Sequence, residues 1–276
     1  MSQKLLQNYL KKWSLENPVH LTNTATAYLY HVDSRFGPAV LKIFTELGIK
    51  DESSGTDYLK ACAGEGVVKL FAADEGAQLL ELLHGEGFSK YNDQNASEIF
   101  VGILRNTFTC QNIAPNHKLR SLESLLNVFE RIKTPTNLNI LFDRAKNIFK
   151  QLSATQDRNV LLHGDLHHEN VMKNQDGLYL CFDPKGFVGD PSYEIATILN
   201  NPTNSPQITL DLSVFKNRVE YFSNSLNLPV SRIIGYFYVY LCLSIAWSIE
   251  DGCNYQQESQ LLQLIYPSVS EFFNID

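Results

Sequence analysis

The stretch VLLHGDLHHENVMKNQDGLYLCFDPKGFVGD, residues 160–190, decides the fold of this 276-residue chain. Its opening apolar run predicts a buried strand, and the polar loop that follows carries Asp165 and, five positions later, Asn170. A predicted hairpin over residues 171–182 then leads into Asp183. Adjacent strand ends therefore present two carboxylates and an amide. Phosphoryl transfer requires such a set, because a carboxylate accepts the proton of the attacking hydroxyl and oxygen ligands hold magnesium.

The run HGDLHHEN, residues 163–170, followed by FDPKG, residues 182–186, resembles the catalytic loop and metal-binding segment of the aminoglycoside phosphotransferases, relatives of the protein kinases. The histidine, Asp165 and Asn170 keep the spacing of the kinase motif H-R-D-x-x-x-x-N, and Asp183 stands for the aspartate of D-F-G. The continuation DPKGFVGDPSYE is most similar to the streptomycin 6-kinase and hydroxyurea phosphotransferase branch. The resemblance implies an α+β, bilobal protein-kinase-like fold with an antiparallel-sheet N-lobe and a mainly helical C-lobe. It also implies ATP and Mg²⁺ as cofactors.

Composition excludes several classes of protein. Hydrophobic residues make up 44% and charged residues 19% of the chain, which is an ordinary globular balance. The net charge of −7 disfavours a nucleic-acid partner and permits a cationic small-molecule substrate. The five cysteines are scattered and form no C-x-x-C pair, which predicts a reducing compartment without a disulfide framework. The polar N-terminus and the absence of an apolar run of about 18 residues predict a cytoplasmic protein without a membrane span.

Residues 1–84 are predicted to form the nucleotide-binding lobe. The resemblance places Lys42, inside VLKIF, at the lysine of the third kinase strand, where it points inward and requires an anionic partner. Glu52 is the first candidate for that partner, with Glu46 and Asp57 as alternatives and a solvated acid as the competing interpretation of Glu52. Periodicity predicts a helix over 5–13, strands over 21–27, 28–32, 39–44, 67–73 and 78–83, and a helix over 51–62.

Two further parts of this lobe follow from the resemblance. The loop TNTATA, residues 22–27, would cover the ATP phosphates; it contains no glycine, so Thr24 and Thr26 are guesses for the residues whose backbone approaches phosphate. The hinge would bind adenine through the C=O of Glu81 and the N–H of Leu83. Residues 84–87 are predicted to cross between the lobes, with residues 85–276 forming the helical lobe.

The second lobe is predicted to be mainly helical, with apolar stripes that form its core. Predicted helices cover 95–109, 119–132, 138–152, 208–226, 233–249 and 259–273, and another begins at Pro191.

The roles of the central residues follow from the motif. Asp165 is predicted to be the catalytic base, with a cap or turn residue as the alternative. Asn170 and Asp183 are predicted magnesium ligands, with a hairpin cap and a strand-end turn as alternatives. Lys185 is expected to reach a phosphate or to hold an acidic neighbour, and Asp190 to cap the next helix. The spacing H-x-x-x-H-H of the loop histidines does not favour a metal site.

The resemblance implies phosphorylation of an aminoglycoside hydroxyl and antibiotic resistance. A metabolic small-molecule or hydroxyurea kinase is the alternative, and a catalytically silent nucleotide-binding scaffold is the alternative of another class. Streptomycin carries guanidino groups, which carboxylates recognise through paired hydrogen bonds. Candidate carboxylates in the helical half, each of which can also be read as part of a solvated helix face, are Asp211, Glu220, Glu250, Asp251 and Glu258. The sequence leaves the oligomeric state open.

Overall fold

A computed structural model describes residues 3–84, 93–111, 113–114 and 117–274 of the chain, and it has the expected α+β architecture. A β-sheet lobe is followed by a mainly helical lobe. The elements of the first lobe are α1 (Gln3–Trp13), β1 (Glu16–Asn23), β2 (Ala27–Ser34), β3 (Gly37–Phe44), α2 (Glu46–Asp51), α3 (Ser53–Cys62), β4 (Leu70–Ala73) and β5 (Ala77–Glu81).

The strands of the first lobe form one antiparallel sheet in the order β1-β2-β3-β5-β4. Alternate residues of a strand face opposite sides of a sheet. On β3, Leu41 and Ile43 are fully buried in the cluster to which the apolar side of α1 contributes. Val40 and Lys42 line the cleft on the other side. The predicted N-terminal helix therefore packs on the outer face of the sheet, and Lys42 faces inward.

Some predicted boundaries in this lobe are wrong. β1 begins at Glu16 and β2 at Ala27, so the strand predicted over 21–27 starts too late and runs into β2. β1 is an edge strand with every residue exposed, and hydrophobic alternation therefore does not mark it. The helix predicted over 51–62 is α3, which begins at Ser53, and a further helix that was not predicted, α2, precedes it, with Glu52 between the two.

The second lobe is mainly helical in the part of the chain that the structure describes. Its helices are α4 (Asp93–Thr107), α5 (Val128–Arg131), α6 (Asn139–Ala154), α7 (Ser192–Leu199), α8 (Pro206–Thr209), α9 (Leu212–Leu226), α10 (Val230–Asp251) and α11 (Gln256–Ser270). Its strands are β6 (Arg120–Ser121), β7 (Val160–Leu162), β8 (Val171–Lys173), β9 (Tyr179–Cys181) and β10 (Phe187–Gly189).

Two predicted helices of this lobe are broken. The segment 119–132 consists of β6, a 3-10 helix and the short α5, because Arg120 and Ser121 pair in parallel with β10. The segment 208–226 is divided into α8 and α9. Asp211 accepts hydrogen bonds from the N–H groups of Ser213 and Val214 and so caps α9. Its carboxylate therefore stabilises the start of this helix.

Helix α10 forms the centre of the second lobe. It is long and apolar enough to pass a composition test for a membrane span, with a mean hydropathy of 1.5 over its most apolar window, but 72% of that window is buried inside the protein. It packs against α6, α7 and α11. Its apolar composition is that of a core helix.

The central strands bring the catalytic segment to the base of the cleft. β10 pairs antiparallel with β7, and β8 pairs with β9 as the predicted hairpin. The crossing between lobes remains a prediction, since residues 85–87 of the predicted segment 84–87 lie outside the described residues. His84 does reach the second lobe, where its N–H donates to the carbonyl of Lys173 at 2.7 Å.

Candidate active site

A buried lysine of the first lobe contacts a carboxylate of each lobe. Lys42 Nζ lies 2.8 Å from Glu52 Oε2 and 2.5 Å from Asp183 Oδ1. Burial by itself lowers the pKa of Lys42, but the two carboxylates outweigh burial and raise it. Burial would raise the pKa of Asp183, and the attraction of Lys42 and Lys185 instead lowers it. Lys42 and Asp183 are therefore charged at neutral pH. Glu52, rather than Glu46 or Asp57, is the partner of the lysine.

Close backbone contact sets this geometry. Gly55 in α3 lies against the segment after Asp183, and a Cβ at Gly55 would stand 2.1 Å from the carbonyl oxygen of Pro184. Gly186 makes the reciprocal approach, since a Cβ there would stand 2.2 Å from the oxygen of Ser54. Side chains at these two positions would separate α3 from the segment. The two glycines therefore hold Glu52, at the start of α3, close to Asp183.

Asp165 lies in the loop after β7, at the base of the cleft. Its Oδ1 is 3.8 Å from His167 Nε2 and its Oδ2 is 3.9 Å from Lys185 Nζ. Burial raises the pKa of Asp165, and the nearby histidine and lysine oppose this rise. The carboxylate is thus a stronger base than a free aspartate, while Lys185 stabilises its charge.

Two buried side chains hold the catalytic loop. His163 Nε2 donates to the carbonyl of Phe182 at 2.8 Å, and its Nδ1 accepts from the N–H of Asp165 at 3.3 Å. Burial lowers the pKa of His163 to about 3, so the ring is neutral. On the other side, Glu194 Oε1 accepts from the N–H of Gly164 at 3.0 Å. These contacts fix the backbone N–H groups of Gly164 and Asp165 and so position the Asp165 side chain.

Asn170 and Asp183 offer oxygen atoms that fit a magnesium ion. The Nδ2 of Asn170 donates to the carbonyl of Asp165 at 2.9 Å, which leaves its amide oxygen free to act as an acceptor. Asp183 uses one carboxylate oxygen for Lys42. Its backbone has φ +62°, a left-handed conformation that favours glycine. One amide and one carboxylate oxygen suffice for Mg²⁺ when phosphates and water complete the shell.

Lys185 bridges the two acids. Its Nζ is 3.9 Å from Asp165 Oδ2 and 3.9 Å from Asp183 Oδ2. Asp190, by contrast, is a structural residue: its Oδ1 accepts from the N–H of Ser192 at 2.8 Å, and its Oδ2 binds Arg232 of α10. The predicted helix-capping function of Asp190 agrees with this contact. In the part of the chain that is described, no group of three or more His, Cys, Asp or Glu side chains is arranged to hold a metal.

Two cavities meet at these residues. The first, about 480 Å³, lies between the sheet and the hairpin of the second lobe, and its walls include Lys42, Asp183, Glu81 and Leu83. Leu83 follows β5, and its N–H forms no hydrogen bond with the described residues. The second cavity, about 470 Å³, contains Asp165. It is also lined by Arg120, Arg131, Lys185, Phe187, Tyr240 and Trp247.

Backbone hydrogen bonds hold the loop of residues 22–27 that was predicted to cover the phosphates. Thr24 and Thr26 both line the first cavity. The N–H of Thr24 donates to the carbonyl of Ala27 at 2.8 Å, so this N–H is not available to a phosphate. The carbonyl of Thr26 accepts from the N–H of Thr45 at 2.8 Å, which ties the loop to α2. The guess that Thr24 offers its backbone N–H to phosphate is therefore wrong.

Comparison with known proteins gives the family. The sequence model of the aminoglycoside/hydroxyurea antibiotic resistance kinases matches residues 12–252. This chain belongs to that family. The match includes all the predicted catalytic, nucleotide-binding and magnesium-binding residues.

Relatives of this kinase family member cover most of its length. The chain is 28% identical over 253 residues to a streptomycin 3''-kinase of Klebsiella pneumoniae, covering 88% of this chain and 92% of that protein. It is 28% identical over 216 residues to a streptomycin 6-kinase of Streptomyces griseus, covering 74% and 69% respectively. Among solved structures, an amicoumacin kinase in complex with AMP-PNP, Ca²⁺ and Ami superposes with a TM-score of 0.66 at 15% identity. That superposition covers 100% of this chain and 96% of the other. The protein-kinase-like fold is thereby confirmed.

The structure brings the predicted site residues of the kinase into one cleft. Lys42 contacts both Glu52 and Asp183, and Asn170 donates to the backbone of Asp165. Glu81 and Leu83 of the predicted hinge line the first cavity. Sequence reasoning missed the function of Glu194, which ends the run DPKGFVGDPSYE, residues 183–194, but had no partner assigned. It also missed Gly55, whose contact with Pro184 has no local signature. Both act across long sequence separations.

Proposed function

We propose that this chain is an ATP-dependent O-phosphotransferase that phosphorylates a hydroxyl of a streptomycin-type aminoglycoside. The observation that carries the proposal is the position of the two acids. Asp165 lines one cavity, Asp183 lines the other, and Lys185 lies 3.9 Å from both carboxylates. Two substrates placed in the two cavities would therefore meet at these residues.

The first cavity suits ATP. Adenine would bind the carbonyl of Glu81 and the N–H of Leu83, and Lys42 would contact the phosphates while Glu52 holds it in place. Asn170 and Asp183 would hold Mg²⁺, which neutralises phosphate charge when bound. The amicoumacin kinase that shares the fold was solved with AMP-PNP and Ca²⁺, which supports a nucleotide and a divalent cation as ligands.

The second cavity suits the acceptor molecule. The acceptor hydroxyl would lie against Asp165, which accepts the proton as the acceptor oxygen forms a bond to the γ-phosphorus. The bond between that phosphorus and the bridging oxygen breaks, and ADP leaves with the electron pair. Lys185, between the two acids, is positioned to attract the transferring group. The names of the curated relatives, streptomycin kinases, support the choice of acceptor. Cytoplasmic action on a small molecule is part of the same proposal.

The decisive experiment measures ATP consumption with a panel of acceptors that contains streptomycin and hydroxyurea. We expect phosphorylation of streptomycin by the unmodified chain. Asp165→Asn should lose at least about a hundredfold in kcat while it retains nucleotide affinity, because the base contributes to the chemical step alone. Turnover of hydroxyurea or another alcohol but not streptomycin would overturn the acceptor assignment. Nucleotide binding without transfer to any acceptor would favour the silent scaffold.

A further inference from the structure

An arginine–carboxylate pair lies at the acceptor cavity. Arg131, at the end of α5, lines the cavity that contains Asp165. Its Nε and Nη2 donate to Glu250 Oε1 and Oε2, each at 3.1 Å. Two parallel hydrogen bonds are the geometry by which a carboxylate recognises any guanidinium. Glu250 therefore already binds one guanidinium beside the cavity, through a residue of the cavity wall.

Glu250 lies on α10, close to two aromatic residues of the same helix. Tyr240 and Trp247 line the cavity and contact each other edge to face, with ring centroids 6.2 Å apart. Glu250 follows Trp247 by three residues, so the two side chains are neighbours on the helix surface. Indole is the aromatic ring that attracts a cation most strongly. A carboxylate beside an indole presents the two groups that bind a guanidinium most effectively.

The pair is accessible, unlike the arginine contact that supports the fold. The side chains of Arg131 and Glu250 are 56% and 39% exposed, whereas those of Arg232 and Asp190 are 12% and 3% exposed. An exposed ion pair contributes little to stability, because water competes for both groups. Another guanidinium can therefore replace Arg131 at small cost.

Two further cations line the same cavity close to Asp165. Lys185 Nζ lies 3.9 Å from Asp165 Oδ2, and Arg120 donates to the carbonyl of Lys185, so their charge suits a transferring phosphate and repels cationic groups of an acceptor. A cationic acceptor is therefore driven to place its charge away from these two residues.

We infer that Glu250 and Trp247 form a subsite for a guanidinium of the acceptor, and that Arg131 occupies it until the acceptor displaces it. This inference rests on the proposed function, because the acceptor hydroxyl must reach Asp165 while its guanidinium binds Glu250. Of the five carboxylates suggested by the sequence, Glu250 is thereby selected. Arg131 acts as an internal competitor.

The two partners of the pair give opposite effects when they are changed. Streptomycin binding, measured by calorimetry without ATP, should weaken about three- to fivefold in Glu250→Gln, because one exposed charge pair contributes up to about 1 kcal/mol. It should tighten about threefold in Arg131→Met, which removes the competitor and keeps the apolar part of the side chain. The matched controls are Glu130→Gln and Lys146→Met, since this exposed pair also involves α5, at 2.9 Å, but does not line the cavity. Both controls should bind streptomycin as the unmodified chain does.

If the Arg131–Glu250 pair only links α5 to α10, the two variants should behave alike. Streptomycin affinity would then change in the same direction in both variants, or both would melt at a lower temperature with unchanged affinity. Either result overturns the inference. Absence of streptomycin binding by the unmodified chain also overturns it. Failure of the proposed function is distinguishable: streptomycin would then bind, with the opposite shifts intact, while no phosphate is transferred to it.

Discussion

Replacement of Lys42 by methionine tests the centre of the site. Lys42 is buried, and its removal leaves Glu52, with a side chain only 5% exposed, without its cationic partner. Loss of one partner from a buried ion pair costs about 3–5 kcal/mol. The side chain of Asp183 is 37% exposed, so water solvates it and the lower end, about 3 kcal/mol, applies. At about 2–4 °C per kcal/mol, the melting temperature should fall by about 6–12 °C.

The double variant Lys42→Met/Glu52→Gln separates stability from catalysis. With both charges removed, no carboxylate is buried unpaired, and we expect most of the stability to return. Phosphotransfer should stay at least about a hundredfold below that of the unmodified chain, because the phosphate contact is still missing. Thermal unfolding followed by circular dichroism and a coupled ATP assay measure the two quantities.

The control is Lys146→Met, which removes a cation from the exposed pair with Glu130. It should change stability by no more than about 0.5 kcal/mol. The reasoning is refuted if Lys42→Met unfolds at the same temperature as this control, or if the double variant is less stable than Lys42→Met. Full activity in Lys42→Met would refute the assignment of Lys42 to the phosphates.

Three further predictions concern the catalytic loop and its supports. The acid limb of the pH profile of kcat/KM should lie above the pKa of a free aspartate, about 3.9. Burial raises the pKa of Asp165, and its deprotonated form is the active base. An acid limb at or below the value of free aspartate would contradict this assignment. Burial raises the pKa of Glu194 from 4.5 to about 8, so the fold binds a proton there that the unfolded chain releases, and stability should fall as pH rises from about 4.5 to 8. Denaturant titrations should show a flatter dependence over this range in Glu194→Gln, and an unchanged slope would refute the assignment. Gly55→Ala should lower kcat/KM, and it should lower stability by about 1–3 kcal/mol, because its methyl group displaces Pro184 from α3. The control is Gly102→Ala, where a Cβ meets nothing within 4 Å, and it should reduce neither quantity.

The reaction chemistry was readable because its residues are close in sequence. Asp165, Asn170 and Asp183 lie on one strand–loop–hairpin segment, and the strand pattern around them follows from short apolar runs and a turn at Asp176 and Gly177. Local spacing and turn chemistry are sufficient to predict such a segment. The lobe that carries Lys42 was predictable in type, although the full extent of the exposed edge strand and the short helix α2 were not.

The contacts that turn these residues into a site are long-range. Glu52 is ten residues from Lys42, but Asp183 is 141 residues away, and their meeting depends on how α3 packs against the segment after Asp183. The pairing of Arg131 with Glu250 spans 119 residues and has no sequence signature, because exposed charges on helices are usually solvated.

The sequence by itself was therefore enough to predict the bilobal α+β fold, the phosphotransfer chemistry and the acids proposed to perform it, since these depend on local order along the chain. Only the tertiary structure decided which carboxylate pairs with Lys42, how Glu194 holds the loop, and which of five acids lies beside the acceptor cavity. Those choices depend on packing between distant elements, where a glycine or a single turn of helix decides which groups meet.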